Sequence, residues 1–133
     1  MTKLQKFAFN KLIRDRLDIV LEKKGLKLNK KTLTNVQLKS AFYQKFQEEL
    51  NEIFETKDKA TLQEELADLL EVIHAYAQFQ GIVFAKIEEA RREKKNERGG
   101  FTTGLFIESV EVYSKNPACA YYQSRPQQYP EIT

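Results

Sequence analysis

Residues 46–75 read FQEELNEIFETKDKATLQEELADLLEVIHA. Glu48, Glu49 and Glu52 come first, then a short polar break at residues 56–60 (TKDKA), then Glu64, Glu65, Asp68 and Glu71. This spacing predicts two helices joined by a charged turn. Carboxylates three or four residues apart share one helix face, so Glu49 pairs with Glu52 and Glu65 with Asp68. In an antiparallel hairpin folded about Asp58, Glu49 stands level with Asp68, and Glu52 with Glu65. Four carboxylates facing one another at two levels repel strongly unless a cation sits among them. An all-oxygen donor set suits a hard cation, Mg²⁺ or Mn²⁺.

The competing reading is a solvated acidic face, because Glu-rich helices are common. Apolar context favours the metal. Leu50, Ile53 and Phe54 interleave the first acidic set, and Leu66, Leu69, Leu70 and Ile73 interleave the second. Asp68 is flanked by Leu66, Ala67, Leu69 and Leu70, an unusual setting for an aspartate that only meets water.

The rest of the composition narrows the class. A chain of 133 residues, 41% hydrophobic and 31% charged, has room for one domain with a modest core. Five glycines and three prolines leave space for long helices. No apolar run approaches a membrane span, and MTKLQKFAFNK carries no signal-peptide core. Cys119 is the one cysteine, so no internal disulfide forms, and the expectation is a cytoplasmic protein. A net charge of +3 is too small to argue for a nucleic-acid polymer as partner.

Taken in order, Leu12, Ile13, Leu17, Val20 and Leu21 follow helical spacing, closed by Lys23, Lys24 and Gly25. A second helix begins near Thr34 or Asn35, either of which can cap it, and runs to about Glu55. A third spans about Lys59 to Gln80 and ends at Gly81, and a fourth runs from Val83 or Phe84 to about Asn96. Residues 105–113 partly alternate, as a short strand or an extended arm would. Residues 113–133 hold all three prolines and show no helical pattern, which predicts an irregular tail. The expected fold is therefore all-α: a small bundle of four main helices, completed by dimerisation because so short a chain buries little by itself.

Carboxylate clusters in helical bundles serve two main chemistries. Di-iron or di-manganese redox sites need a Glu-x-x-His from each of two helices. Glu71 and His74 supply one, and the chain has no second histidine, so only a symmetric dimer would complete the set. Phosphoryl hydrolysis needs carboxylates for Mg²⁺ and cations for the phosphates. Lys94, Lys95 and Arg98, with Lys11 and Arg14 at the other end, are candidates for the phosphate side. Gly99-Gly100 lacks the lysine and hydroxyl of a phosphate-binding P-loop, which excludes a Walker-type enzyme.

Glu49-Leu50-Asn51-Glu52 followed by Glu65-Leu66-Ala67-Asp68 resembles the ExxE…ExxD motif of the all-α nucleotide pyrophosphohydrolases, the MazG-like superfamily. Two further segments resemble its phosphoribosyl-ATP pyrophosphohydrolase-like, house-cleaning branch: Asn10-Lys11-Leu12-Ile13-Arg14-Asp15, and Arg98-Gly99-Gly100-Phe101 with Gly104 and Phe106. The resemblance covers about residues 7–112 and implies a pyrophosphohydrolase domain over residues 1–112, with residues 113–133 outside it. It implies Mg²⁺-dependent cleavage of a nucleoside triphosphate or related nucleotide between the α and β phosphates. It further implies that Glu49, Glu52, Glu65 and Asp68 hold the metal, and that Glu48 orients or deprotonates the attacking water. Lys94 and Arg98, with Lys11 and Arg14, would face the phosphates. The functional unit would be at least a dimer, either a homodimer or a homotetramer. The alternative is a helical dimer that binds a nucleotide or a partner without turnover.

Overall fold

Helix α2 (Asn35–Glu55) starts where its cap forces it to. Thr34 Oγ1 accepts from the Gln37 amide at 3.3 Å, and Gln37 Oε1 accepts from the Thr34 amide at 3.1 Å. This capping box settles the start at Thr34 and satisfies two donors that would otherwise be orphaned. The helix stops at Thr56, whose extended backbone breaks the pattern, and Asp58 then caps α3 (Lys59–Phe79). Asp58 accepts from the Thr61 amide at 2.8 Å and from the Thr61 hydroxyl at 2.9 Å. Two helix ends thus meet across a three-residue turn, and α2 and α3 fold back as an antiparallel pair.

This is a computed structural model that describes residues 2–133, and the described residues are all-helical, with five helices and no strand. The chain divides into two compact units, Met1–Glu93 and Lys94–Thr133. In the first, the seam between α2 and α3 has two zones. Toward its open end, Phe42 is buried against Tyr76 and Phe79, each at a ring separation of 5.4 Å, and Phe46 meets Tyr76 edge-on at 5.7 Å. Toward the turn, the seam is lined by carboxylates. Helix α3 ends at Gly81, whose φ of 72° is left-handed. The Ile82 amide then reaches back to the Ala77 carbonyl and the Gly81 amide to that of Gln78, a Schellman closure that a β-carbon would strain.

The first helix is shorter than its apolar spacing predicts. Helix α1 covers only Leu17–Lys23, and residues 10–14 are not helical, with Asn10 at a φ of 48°. Within this non-helical stretch Lys11 and Arg14 extend to carboxylates of α2 and α3. Lys30 clips α1 through Asp18 and Glu22, each at 2.8 Å.

The hairpin is two-sided. Val36, Tyr43, Leu50 and Phe54 form a stripe on α2 about a quarter turn from the seam residues Phe42, Phe46 and Glu49. Leu62, Leu66, Leu70 and Ile73 form the matching stripe on α3, and antiparallel packing brings both to the same side. That side is uncovered, with Val36 and Phe54 each 85% exposed and Leu66 and Leu70 each 49%. Glu48, Glu52, Glu64 and Asp68 turn toward the opposite side. Among the described residues only Phe42, Val72 and Ala77 form a buried apolar core.

Helix α4 (Phe84–Arg98) begins in the first unit and ends in the second. In the second unit residues 105–113 form neither the strand that their alternation suggests nor a helix, and Leu105 and Phe106 are exposed. The four main helices are present, and the tail at residues 113–133 is not wholly irregular, since it holds a short fifth helix. Helix α5 (Pro117–Gln123) starts with Asn116 accepting from the Ala118 amide at 2.9 Å and with Pro117 in its first turn. Tyr121, Tyr122 and Tyr129 cluster after it, with the Arg125 guanidinium 4.1 Å from the centre of the Tyr121 ring.

Candidate metal centre

The predicted levelling of carboxylates across the hairpin is present. Glu49 from α2 and Glu65 and Asp68 from α3 each offer an oxygen, and these oxygens lie within 4.8 Å of one another. Glu52 adjoins them, within hydrogen-bonding reach of Glu65 and Glu49. Glu49 is the most enclosed, with only 5% of its surface exposed. Its Oε2 and that of Glu65 are buried without any hydrogen-bond partner.

Buried carboxylate oxygens are almost always paired, because leaving one unsatisfied forfeits its hydration for nothing. The titration behaviour agrees. Burial first, then the negative charges of Glu52 and Asp68, push the Glu49 carboxyl up, with Lys45 partly opposing. Glu65 is pushed up to about 7, chiefly by Glu52 within hydrogen-bonding reach, then by burial and the neighbouring charges. The seam therefore lacks positive charge at its centre. All-oxygen donors, two of them buried and unpartnered, fit a hard divalent cation such as Mg²⁺ or Mn²⁺.

Three cations line the edge. Arg14 Nη2 donates to Asp68 Oδ1 at 2.8 Å, and Lys11 Nζ stands 3.4 Å from Glu48 Oε1. Lys45 Nζ lies 3.4 Å from Glu48 Oε1 and 3.7 Å from Glu49 Oε1. The sequence reading missed Lys45, although its spacing of three and four residues from Glu48 and Glu49 puts it on their face. Glu48 is thus held between two lysines, beside the donor set and outside it. Lys94 and Arg98 belong to the second unit, exposed on the C-terminal part of α4 and without an ion pair among the described residues.

Glu71 and His74, the half-set of a di-metal redox site, stand elsewhere. His74 stacks on Phe84 at 3.5 Å, and both line an open cavity at the α3–α4 corner together with Glu71 and Gln78. Phe42, Phe46 and Phe79 are seam residues.

A comparison with protein-family models gave no match, and neither did comparisons with curated proteins and with solved structures. No helix among the described residues is long and apolar enough to cross a membrane.

Proposed function

We propose that the protein is a Mg²⁺-dependent nucleotide pyrophosphohydrolase, active in the cytoplasm, that splits a nucleoside triphosphate or a phosphoribosyl-ATP-like nucleotide into a monophosphate and pyrophosphate. The observation that carries this reading is the buried, unpartnered Glu49 oxygen facing Glu65 and Asp68 across the seam. The motif resemblance supplies the reaction type. Glu49, Glu52, Glu65 and Asp68 would hold the metal, which when bound would supply polarisation of phosphate oxygens and acidification of water. Water adds at phosphorus, the bridging P–O bond breaks, and its electron pair leaves with the departing phosphate group. Glu48 sits beside the donor set and takes the water's proton. Its two lysine neighbours hold that carboxylate in place. Arg14, at the edge of the acidic face, meets the phosphate oxygens in this reading.

The working unit in this reading is a homodimer, or a homotetramer built from it. A second copy covers the stripe of Val36, Tyr43, Leu50 and Phe54 and its counterpart on α3, making a four-helix bundle with the acidic faces outward. An uncovered apolar face beside so small a core supports this. The redox reading has less support, because His74 spends its ring on Phe84.

The test is pyrophosphate release from a panel of standard and modified nucleoside triphosphates and phosphoribosyl-ATP, with Mg²⁺ and with Mn²⁺. Metal-dependent release that disappears in Glu52→Gln supports the reading. Silence across the panel with metal still bound favours a non-catalytic nucleotide-binding dimer.

A further inference from the structure

The donor set and its neighbour Glu48 bring together five carboxylates, Glu48, Glu49, Glu52, Glu65 and Asp68, against three cations, Lys11, Arg14 and Lys45. None of the cations reaches the buried oxygens of Glu49 and Glu65. The three are not equivalent. Lys45 is fixed on the same helix as its partners, with only 21% of its side chain exposed, and Lys11 touches Glu48 alone. Arg14 contacts a member of the donor set from a non-helical segment. Its pair with Asp68 spans 54 residues of chain and is open at both ends, with side chains 60% and 42% exposed. An ion pair so exposed contributes little and is readily exchanged.

We propose that Arg14 is the resting counter-ion of the acidic seam, and that a divalent cation displaces it from Asp68 on binding. This rests on the metal-centre reading above. A guanidinium on Asp68 Oδ1 and a divalent ion among Glu49, Glu65 and Asp68 compete for one carboxylate and repel each other at close range. The segment that carries Arg14 has a second contact, Lys11 on Glu48, that does not involve Asp68, and it runs directly into α1. Release therefore needs only the side chain to swing, and it leaves the guanidinium at the rim of the seam, where an incoming phosphate arrives. Arg14 thus keeps Asp68 neutralised while the site awaits its ion, at the expense of metal affinity.

The test is a Mn²⁺ titration followed by the electron paramagnetic resonance signal of the free ion, on the wild-type protein, Arg14→Gln and Arg16→Gln. Arg16 lies two residues away and makes no ion pair among the described residues, so it controls for net charge. The expected result is Mn²⁺ binding about twofold to fivefold tighter in Arg14→Gln, the range an exposed pair supplies, with Arg16→Gln like the wild type. Equal affinity in wild type and Arg14→Gln overturns the competition and leaves the metal centre standing. Weaker binding in Arg14→Gln, or the same gain in Arg16→Gln, also overturns it. Failure of all three proteins to bind Mn²⁺ overturns the metal centre and this inference together.

Discussion

Glu52 on α2 and Glu65 on α3 stand within hydrogen-bonding reach of each other across the seam, and this nearness chiefly pushes the Glu65 carboxyl up to about 7. The folded protein therefore binds protons here more tightly than the unfolded chain, whose glutamates titrate near 4.5. Stability from this source is complete below the unfolded value and is lost as pH rises through the folded one. Glu49 shifts in the same direction. Asp18, Asp58 and Glu88 are shifted downward and act oppositely, but only below the ordinary carboxylate range. The metal-free protein should accordingly lose melting temperature between about pH 5 and about pH 8, and saturating Mn²⁺ should remove that decline. A melting temperature that stays flat across this window without metal would contradict the raised Glu65 carboxyl.

The turn between the acidic helices depends on Asp58. Its carboxylate satisfies both the amide and the hydroxyl of Thr61. Asp58→Ala should destabilise the protein by about 1 kcal/mol, whereas Asp58→Asn should retain most of the stability. Urea unfolding of the two variants measures this. Equal loss in both would mean that charge at this end of α3, rather than the cap, holds the turn.

The apolar side of the hairpin predicts the assembly. Paired charges placed on it, Tyr43→Glu with Leu70→Glu, should turn the dimer into a monomer in sedimentation equilibrium. Gln63→Lys, on the outer side of α3, should leave the mass unchanged. A wild-type protein that sediments as a monomer would remove the dimer from the account.

The hairpin and its carboxylate levels are legible in the sequence because every signal for them is local. Helical periodicity, the Thr34 and Asp58 caps and the short turn act within a few residues, and together they fix which carboxylates stand opposite one another. Apart from Lys45, a local neighbour of Glu48 and Glu49, what escaped was either long-range or too short. The residues before Leu17 carry helical spacing but are not helical, and Lys11 and Arg14 reach carboxylates 37 and 54 positions away, contacts no local pattern records. Helix α5 is seven residues long, less than the span over which periodicity shows. Asn116-Pro117, a cap followed by the residue best suited to a first turn, was its available signal. Residues 105–113 alternate like a strand, but a strand needs a neighbour, and none forms among the described residues.

The central claim is that the seam between α2 and α3 binds a divalent cation through Glu49. Isothermal titration of the wild-type protein and Glu49→Gln with Mn²⁺ tests it most directly. The account predicts saturable binding in the wild type that weakens by more than about a hundredfold in the variant, beyond the loss that indirect ligand changes produce. The metal-free variant should also melt higher at neutral pH, because it no longer buries an ill-paired charge. Binding that is absent from the wild type, or that survives unchanged in Glu49→Gln, would contradict the claim.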